Sequence, residues 1–378
     1  MTLENNLIYI SNTRIPSEKA NSYQSMVMCE SFSQYFDNVE FWYPKRKNTS
    51  KMDEVNDPFA FYNLSKNFFL KKLFTLDLSR MSTIFPKLWF FILNITFALN
   101  YTFKLRIYPQ NTIVVTRDTM GLIILSFGKS IGFIKQNIYF EAHIYSPKIS
   151  RLAKKVNGLI VINNYLKNLY KKDNAKNILV VHDGVKLEEY ENIKPKNNTE
   201  IKQIVYIGNL FEWKGVYTLV DSLEYLDNDV ELVIVGGSTD TLPKFSNYIK
   251  EKKIQNIELV GFVKKSETIK YIENADVLIL PNSAKDKMSY YTSPLKLFEY
   301  MASNRPIVAS KLPSLEEVLE DKKNAVLFTP DDSKDLADKI NWVLTNDCKD
   351  IVISALNDVQ EYTWLNRANK IVRWMKND

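Results

Sequence analysis

Cysteine, histidine and glycine are scarce in this chain. Its 378 residues include two cysteines, two histidines and ten glycines. Cys29 and Cys348 are too few for a disulfide framework, and no Cys or His spacing is typical of a zinc site. We therefore expect a protein of a reducing compartment, with no metal and no cofactor. No charged segment followed by an apolar run opens the sequence, so we also expect no secretory signal.

Positive charge is concentrated in residues 45–110. The whole chain has a net charge of +6, whereas this stretch alone has a net charge of +7 and is rich in Phe, Tyr and Trp. Within it, Leu88–Phe103 is uncharged, and as a helix it would span about 24 Å, less than a hydrocarbon core of about 30 Å. This length disfavours the alternative of a membrane-spanning helix. Two other interpretations stay open: a buried core segment, or a surface that contacts anionic lipid or a lipid-linked substrate.

The surface interpretation would place a cytoplasmic protein peripherally on the inner face of the plasma membrane. The basic residues are interleaved with bulky apolar residues and show no motif typical of RNA or DNA binding. We therefore expect no nucleic-acid partner.

Apolar runs typical of strands alternate with segments typical of helices along most of the chain. The alternation is strict in the second half and less regular in the first. Strict alternation predicts an α/β fold with parallel sheets that are covered on both faces. We predict two Rossmann-like, doubly wound domains that face a central cleft. The polar segment Glu191–Thr199 is interpreted as the linker, which gives domains of residues 1–190 and 191–360.

Two segments in the second half have features of a nucleotide-binding site. Gly208 ends a predicted strand, and Lys214 lies in the loop just before a helix, where an ammonium and free N–H groups can hold a phosphate. The alternative for Lys214 is a solvated surface lysine. GxxxxGK[ST] is absent, so this is not a Walker A loop.

The second segment runs from Ser289 to Ala302. Ser293 is predicted to be the N-cap and Pro294 the first helical residue, which would leave the N–H groups of Leu295 and Lys296 free for a diphosphate. Glu299 lies one turn further along, and its carboxylate is suited to the two hydroxyls of a ribose. The alternative for Glu299 is an exposed helical glutamate.

Both histidines follow apolar strands. His143 comes just after the strand that ends near Phe140, and we interpret it as a residue of the cleft. His182 is interpreted as structural, in a turn that leads to the linker. Asp331 and Asp332 precede a helix and are interpreted as capping residues rather than as a metal-binding DxD motif.

These segments together resemble glycosyltransferase family 4, the retaining enzymes of the GT-B fold, in its bacterial surface-polysaccharide subset. The resemblance covers most of the chain and is carried by HDGVKLEEY, YIGNLFEWKG, ELVIVGG, ADVLILPNS and SPLKLFEYMASNRPIVAS. The ending YTWLNRA resembles the family's last helices, so a C-terminal helix within residues 361–378 is expected to pack back on the first domain.

The resemblance implies roles for individual residues. Lys214 would bind the donor diphosphate, Glu299 the ribose, and the turn of Ser293–Lys296 would add phosphate contacts. His143 would lie beside the transferred sugar. Arg14 falls in a loop that faces the donor phosphates in the family, and Gly208 and Asn209 form the start of the phosphate loop.

Three departures from the family pattern are visible, one of which is that the first loop, RIPSEKAN, lacks the family's usual paired glycines. The family often has a second glutamate eight residues before Glu299, where this chain has Tyr291, and often an arginine where this chain has Asn209. The missing positive charge could be supplied by Arg14 or Lys296.

The resemblance predicts a metal-independent, retaining transfer from a nucleotide diphosphate sugar to a hydroxyl of a glycan or lipid-linked saccharide. The departing phosphate would accept the acceptor's proton, and His143 would position and polarise. One alternative is a non-catalytic GT-B subunit that acts as scaffold or activator of a partner transferase. Another is a nucleotide-sugar epimerase.

Overall fold

The chain forms two compact units. A computed structural model describes residues 5–79, 84–196, 200–227 and 229–377. The first unit comprises residues 1–162, 166–181 and 364–378, and the second comprises residues 163–165 and 182–363. Each unit has its own sheet.

The first unit is built on a seven-stranded sheet with the order β3-β2-β1-β4-β5-β6-β7, in which neighbouring strands are parallel. Its strands are β1 (Asn6–Ile10), β2 (Asn38–Pro44), β3 (Phe69–Leu73), β4 (Ile113–Thr116), β5 (Asn137–Ala142), β6 (Gly158–Val161) and β7 (Ile178–Val180). The helices along this part of the chain are α1 (Ala20–Phe32), α2 (Ser50–Asp53), α3 (Pro58–Tyr62), α4 (Pro86–Leu105), α5 (Thr119–Ser130), α6 (Pro147–Ala153) and α7 (Asn164–Lys172).

The second unit is built on a six-stranded sheet with the order β10-β9-β8-β11-β12-β13, again parallel. Its strands are β8 (Lys202–Ile207), β9 (Val230–Val235), β10 (Ile257–Gly261), β11 (Val277–Leu280), β12 (Ile307–Ser310) and β13 (Val326–Phe328). The helices that follow are α8 (Val216–Ser222), α9 (Leu242–Lys252), α10 (Lys265–Asn274), α11 (Leu295–Met301), α12 (Ser333–Thr345), α13 (Lys349–Asp358) and α14 (Trp364–Lys376).

Alternate residues of the strands fill the two faces of each sheet. On β8, Val205 and Ile207 belong to one apolar cluster, whereas Ile204 and Tyr206 belong to the cluster on the opposite face. This is the burial expected of parallel strands covered on both sides. The predicted α/β class with two parallel sheets is confirmed.

The basic, aromatic segment 45–110 supplies both an edge strand and a long helix to the first unit. Strand β3 pairs with β2, and α4 packs against α5. One face of α4 is buried, with Phe97 and Tyr101 in the core cluster of the first sheet. The opposite face leaves large apolar side chains exposed: Leu88, Phe90, Phe91, Leu99 and Phe103. The core interpretation is therefore correct for one face of the helix, and lipid contact by the exposed face stays a prediction.

Helix α4 also passes a test for membrane-spanning helices by length and composition alone. Its 20 residues have a mean hydropathy of 1.3, and 39% of the tested window is buried inside the protein. One such helix is weak evidence, because the core helix of a globular protein passes the same test.

Two features differ from the sequence-based prediction. The predicted boundary after residue 190 lies within the second unit, because Val185, Tyr190 and Ile193 are buried in the core of the second sheet. Residues 197–199 of the predicted linker lie outside the described residues. The strict alternation predicted for the second half is broken between β12 and β13, where residues 313–318 form turns rather than a helix.

Candidate active site

The second sheet reverses its strand order between β8 and β11, and ligands of doubly wound sheets bind at the carboxyl ends of such strands. Gly208 follows β8 directly, and a Cβ there would lie 2.6 Å from the Tyr206 hydroxyl. Gly215 has a φ of 71° and abuts the Pro281 carbonyl oxygen, so the loop from β8 to α8 requires glycine there. Asn209 is exposed, and its carbonyl oxygen accepts a hydrogen bond of 2.7 Å from the Tyr206 hydroxyl.

Lys214 lies in this loop, in a 3-10 turn before α8. Its side chain is half-buried, and Nζ lies 4.1 Å from the centroid of the Trp213 ring. Burial lowers the pKa of Lys214 to about 8. Within the described ranges, no carboxylate pairs with this ammonium, so its positive charge is available to an anionic ligand.

The loop is tied to the segment that precedes α11. The Trp213 carbonyl oxygen accepts a hydrogen bond of 3.0 Å from the Ser283 N–H and one of 3.3 Å from the Ser289 hydroxyl. Asn282, next along the chain, is buried, and its Nδ2 has no hydrogen-bond partner among the described residues. A buried amide without a partner is uncommon and marks this edge as polar.

The start of α11 differs by one residue from the prediction. The helix begins at Leu295, and Pro294 rather than Ser293 occupies the N-cap position. Ser293 is buried, and its hydroxyl accepts a hydrogen bond of 3.0 Å from the Asp183 N–H instead of capping the helix. Leu295 and Lys296 are half-buried and occupy the first turn of the helix, and their phosphate contacts stay a prediction.

Glu299 is not the exposed helical glutamate of the alternative interpretation. It is only 4% exposed, and Lys296 Nζ contacts its Oε2. Burial alone would raise the pKa of Glu299, but the charges of Lys296 and Lys265 hold it below its usual value. The carboxylate is therefore ionised at neutral pH and can accept hydrogen bonds from two hydroxyl groups. Lys296 neutralises it, so Lys296 is engaged rather than free to replace the family's arginine.

Helix α11 is anchored to the end of β8. The buried Tyr300 hydroxyl accepts a hydrogen bond of 2.9 Å from the Ile207 N–H, directly before Gly208. This contact brings the helix that carries Glu299 to the same sheet edge as the Lys214 loop. Gly208, Asn209, Lys214, residues 293–296 and Glu299 therefore share one edge of the second sheet.

Tyr291 occupies the position where the family often has glutamate. Its ring centroid lies 5.9 Å from that of Tyr165, and Tyr290 lies 5.3 Å from Tyr165. Burial raises the pKa of Tyr291, so its hydroxyl stays protonated. Asn163 donates to the carbonyl oxygens of Tyr290 and Thr292 at 3.0 and 3.2 Å, which fixes the same segment. Aromatic packing thus replaces a carboxylate here.

In the first unit, His143 follows β5 and is linked to Glu141. Its Nε2 lies 2.8 Å from Glu141 Oε1. Burial is the main cause that lowers the pKa of His143 to about 4, and the charge of Arg117 adds to it, although Glu141 opposes the shift. The imidazole is therefore neutral at pH 7, and Nε2 donates to the carboxylate while Nδ1 remains an acceptor.

Glu141 is the centre of a buried polar cluster. Arg367 on α14 donates a hydrogen bond of 3.0 Å to Glu141 Oε1, and the Tyr9 hydroxyl donates one of 3.0 Å to Oε2. Burial alone would raise the pKa of Glu141, but Arg367 and Arg117 hold it well below its usual value. The cluster keeps a fully buried carboxylate ionised beside His143.

Neither Glu141 nor Arg367 is predicted from the sequence to support the candidate site. Glu141 and His143 are two positions apart at the end of a strand, where such residues share a face, so their pairing had a visible signal. Arg367 is 226 residues away in sequence and gave no local signal.

The other assigned residues are placed as follows. Arg14 lies half-buried in the loop after β1, and no hydrogen bond or ion pair of its side chain occurs in the described part of the chain. His182 lies 3.4 Å from Glu317 and packs on Tyr362, in keeping with a structural residue. Asp332 caps α12 through the N–H groups of Lys334 and Asp335, as predicted, whereas the Asp331 carboxylate accepts a hydrogen bond of 2.9 Å from the Ala284 N–H instead of capping the helix.

No cluster of three or more His, Cys, Asp or Glu side chains that could hold a metal ion occurs in residues 5–79, 84–196, 200–227 and 229–377. Of the two lysines at this sheet edge, Lys296 is paired with Glu299, and Lys214 has no carboxylate partner within the described residues.

The second unit matches a known family, and the whole chain resembles solved structures. Residues 201–346 match the model of the family Glycosyl transferases group 1. Over 180 residues, the chain is 30% identical to a phosphatidyl-myo-inositol mannosyltransferase of Mycobacterium leprae, and this segment is 46% of each protein. Over 203 residues, it is 26% identical to a poly(ribitol-phosphate) alpha-N-acetylglucosaminyltransferase of Staphylococcus aureus, covering 52% of this chain and 38% of that protein.

The matched segments span about half the length of the curated relatives. Across the whole chain, the structure resembles Anabaena HepE in complex with UDP and glucose, with a TM-score of 0.73, 14% identity and coverage of 99% of this chain and 100% of that one. The chain therefore has the fold of GT-B glycosyltransferases, and its residues 201–346 match the glycosyl transferases group 1 family.

Proposed function

We propose that this chain is a retaining glycosyltransferase of the family 4 type. It transfers a sugar from a nucleotide diphosphate sugar to a hydroxyl of a glycan or lipid-linked saccharide. The observation that carries the proposal is the edge of the second sheet, where the Lys214 ammonium has no anionic partner within the described residues and the buried Glu299 carboxylate is held ionised on α11. A cation for phosphates and a carboxylate for ribose hydroxyls are the two groups that a nucleoside diphosphate requires.

In this reaction the bond between the sugar C1 and the donor phosphate oxygen breaks, and a bond forms between C1 and the acceptor oxygen on the same face. The acceptor's proton passes to the departing phosphate. Lys214 stabilises the negative charge that develops on the diphosphate, and it does so from a fixed position. His143, neutral at pH 7, positions the sugar through its Nδ1 acceptor or its ring edge.

The similar proteins support the donor and acceptor classes. HepE was solved with UDP and glucose, and the two curated relatives are named for transfer to phosphatidyl-myo-inositol and to poly(ribitol-phosphate). We infer a donor carried on a nucleoside diphosphate and an acceptor used in cell-surface glycan synthesis. Because Lys214 supplies the charge that a metal provides in other transferases, the transfer is expected to proceed in the presence of EDTA.

We further propose that the protein acts peripherally on the cytoplasmic face of an anionic membrane, where a lipid-linked acceptor would lie. The exposed face of α4 offers Phe90 and Phe91 at 47% and 48% exposure, and Lys87 and Lys104 lie on the same helix. Aromatic side chains with flanking cations are the groups that a peripheral protein inserts at an anionic lipid surface.

The donor site is tested by calorimetric titration of the full chain with UDP, GDP, ADP and CMP, without added metal. One nucleoside diphosphate is expected to bind, and at 100 times its dissociation constant to stabilise the protein by about 2.7 kcal/mol. Lys214→Ala and Glu299→Ala are each expected to weaken binding at least tenfold. Lys250→Ala and Glu251→Ala, at exposed positions on α9, serve as matched controls and should leave it unchanged.

Activity then separates the alternatives. Transfer of sugar to an added acceptor, with EDTA present, supports the proposal. Nucleotide binding without turnover for any acceptor would favour a non-catalytic subunit, and conversion of the nucleotide sugar without an acceptor would favour an epimerase. Binding that is equally strong in Lys214→Ala and wild type would contradict the site.

A further inference from the structure

Two loops meet at the carboxyl ends of β1 and β2, which are neighbouring strands of the first sheet. Strands β1 and β2 are paired in register, with Ile10 opposite Trp42. The loops that follow are joined by a hydrogen bond of 2.8 Å from Asn48 Nδ2 to the Pro16 carbonyl oxygen. Arg14 and Arg46 each lie four residues beyond that paired position, one on each loop.

The positive charge of Arg14 acts on Arg46, and little negative charge compensates the pair. Arg46 is half-buried, and its Nε is buried without a hydrogen-bond partner among the described residues. Burial, and then the charge of Arg14, lower the pKa of Arg46 to about 10. Asp77 opposes this shift, and its oxygens already accept hydrogen bonds from the Lys47 N–H and from Trp89 Nε1.

Such an arrangement lowers the stability of the protein without a ligand. A guanidinium has five N–H donors, and leaving the buried Nε–H of Arg46 unpaired costs free energy. A second guanidinium nearby adds like-charge repulsion. The pair becomes favourable when an anion with several oxygens lies between the two forks, and phosphate matches that geometry.

We propose that Arg14 and Arg46 together form a binding site for a phosphate group at the carboxyl ends of β1 and β2. Arg14 was assigned to the donor by resemblance, whereas Arg46 has no assigned role. The phosphate belongs either to the donor diphosphate or to a phosphate-bearing acceptor. This choice of source rests on the proposed function, but the existence of the site does not.

The test uses the full chain with Lys214→Ala, which removes the other predicted phosphate-binding cation. Inorganic phosphate and pyrophosphate are titrated at constant ionic strength by calorimetry. Adding Arg46→Gln is expected to weaken phosphate binding at least tenfold, and Arg14→Gln should do the same. Lys172→Gln, at an exposed position on α7, is the control for charge and should have no effect.

A second readout distinguishes binding from a structural role. Without ligand, Arg46→Gln is expected to unfold at the same temperature as the parent or higher, because an unpaired charge has been removed. A large loss of stability, with phosphate affinity unchanged, would overturn the proposal. So would the absence of measurable phosphate binding by the parent protein.

Two further probes identify the source of the phosphate in the protein with native Lys214. If Arg46→Gln weakens UDP binding, the site holds the donor diphosphate. If it weakens glycerol 3-phosphate binding and leaves UDP binding intact, the site holds an acceptor phosphate. Loss of phosphate binding in Arg46→Gln, in a protein that binds no nucleotide, would retain this site while refuting the proposed transferase.

Discussion

Glu141 shows how one residue sets the state of its neighbours. A fully buried carboxylate is costly unless it is paired, and here two donors, Arg367 and Tyr9, meet its two oxygens. The same carboxylate accepts the Nε2 proton of His143. Since burial and Arg117 keep His143 neutral, the position of its single proton is decided by Glu141.

Breaking this pair from one side is expected to be more harmful than removing both partners. Glu141→Gln or Arg367→Met leaves an unpaired charge in a buried place, and each should lower the free energy of unfolding by about 3–5 kcal/mol. The double variant is expected to lose less than the sum of the two. Denaturant unfolding of the four proteins measures the cycle.

Two results would test the role of the cluster beyond stability. The chain has two histidines, so an NMR titration with His182→Gln assigns the His143 signal directly. Arg367→Met is expected to raise the pKa of His143, because a positive charge is removed. Additive losses of stability, or an unchanged histidine titration, would speak against the coupling. The groups that face Glu141 are Tyr9, Cys29, His143, Arg117 and Arg367.

At the scale of elements, the position of α11 depends on contacts that the sequence shows only in part. The Ser-Pro pair correctly predicts a helix start, but Ser293 is buried and its oxygen is taken by the Asp183 N–H, so the helix begins one residue later. Strand β3 was not predicted because FLKKL lacks regular alternation, which is tolerated at a sheet edge. Tertiary pairing, not local pattern, decides both features.

The hydrogen bond from Ile207 to Tyr300 is expected to hold α11 against β8. Tyr300→Phe removes the acceptor and leaves a buried N–H unpaired, which should lower the free energy of unfolding by about 1–3 kcal/mol. Because the same contact places Glu299 near Gly208, nucleotide affinity should fall as well. Tyr225→Phe, at a half-exposed position, is the control in both thermal unfolding and titration. Unchanged affinity in Tyr300→Phe would mean that the contact does not position the site.

At the scale of the whole molecule, charge and apolar surface are unevenly distributed. Residues 45–110 carry a net charge of +7 in a chain whose total is +6. From sequence, a core segment and a lipid-facing surface could not be distinguished for Leu88–Phe103, because hydropathy does not tell which side of a helix meets a sheet. In the structure, Phe97 packs in the core, and Phe90 and Phe91 are exposed.

Binding to vesicles should therefore depend on both charge and aromatic side chains. We expect the protein to float with vesicles rich in anionic phosphatidylglycerol at low salt and much less with neutral phosphatidylcholine, and higher salt should weaken the binding because it screens the charges. The double variant Phe90→Ser/Phe91→Ser should reduce binding at least tenfold, since inserting one phenylalanine is worth more than about 1.4 kcal/mol. Tyr225→Ser removes an exposed aromatic side chain of the second unit and should bind as the wild type does. If the double variant keeps its thermal stability and still binds fully, the exposed face of α4 is not the contact. If the wild type fails to bind even at low salt, an anionic membrane surface is not a partner.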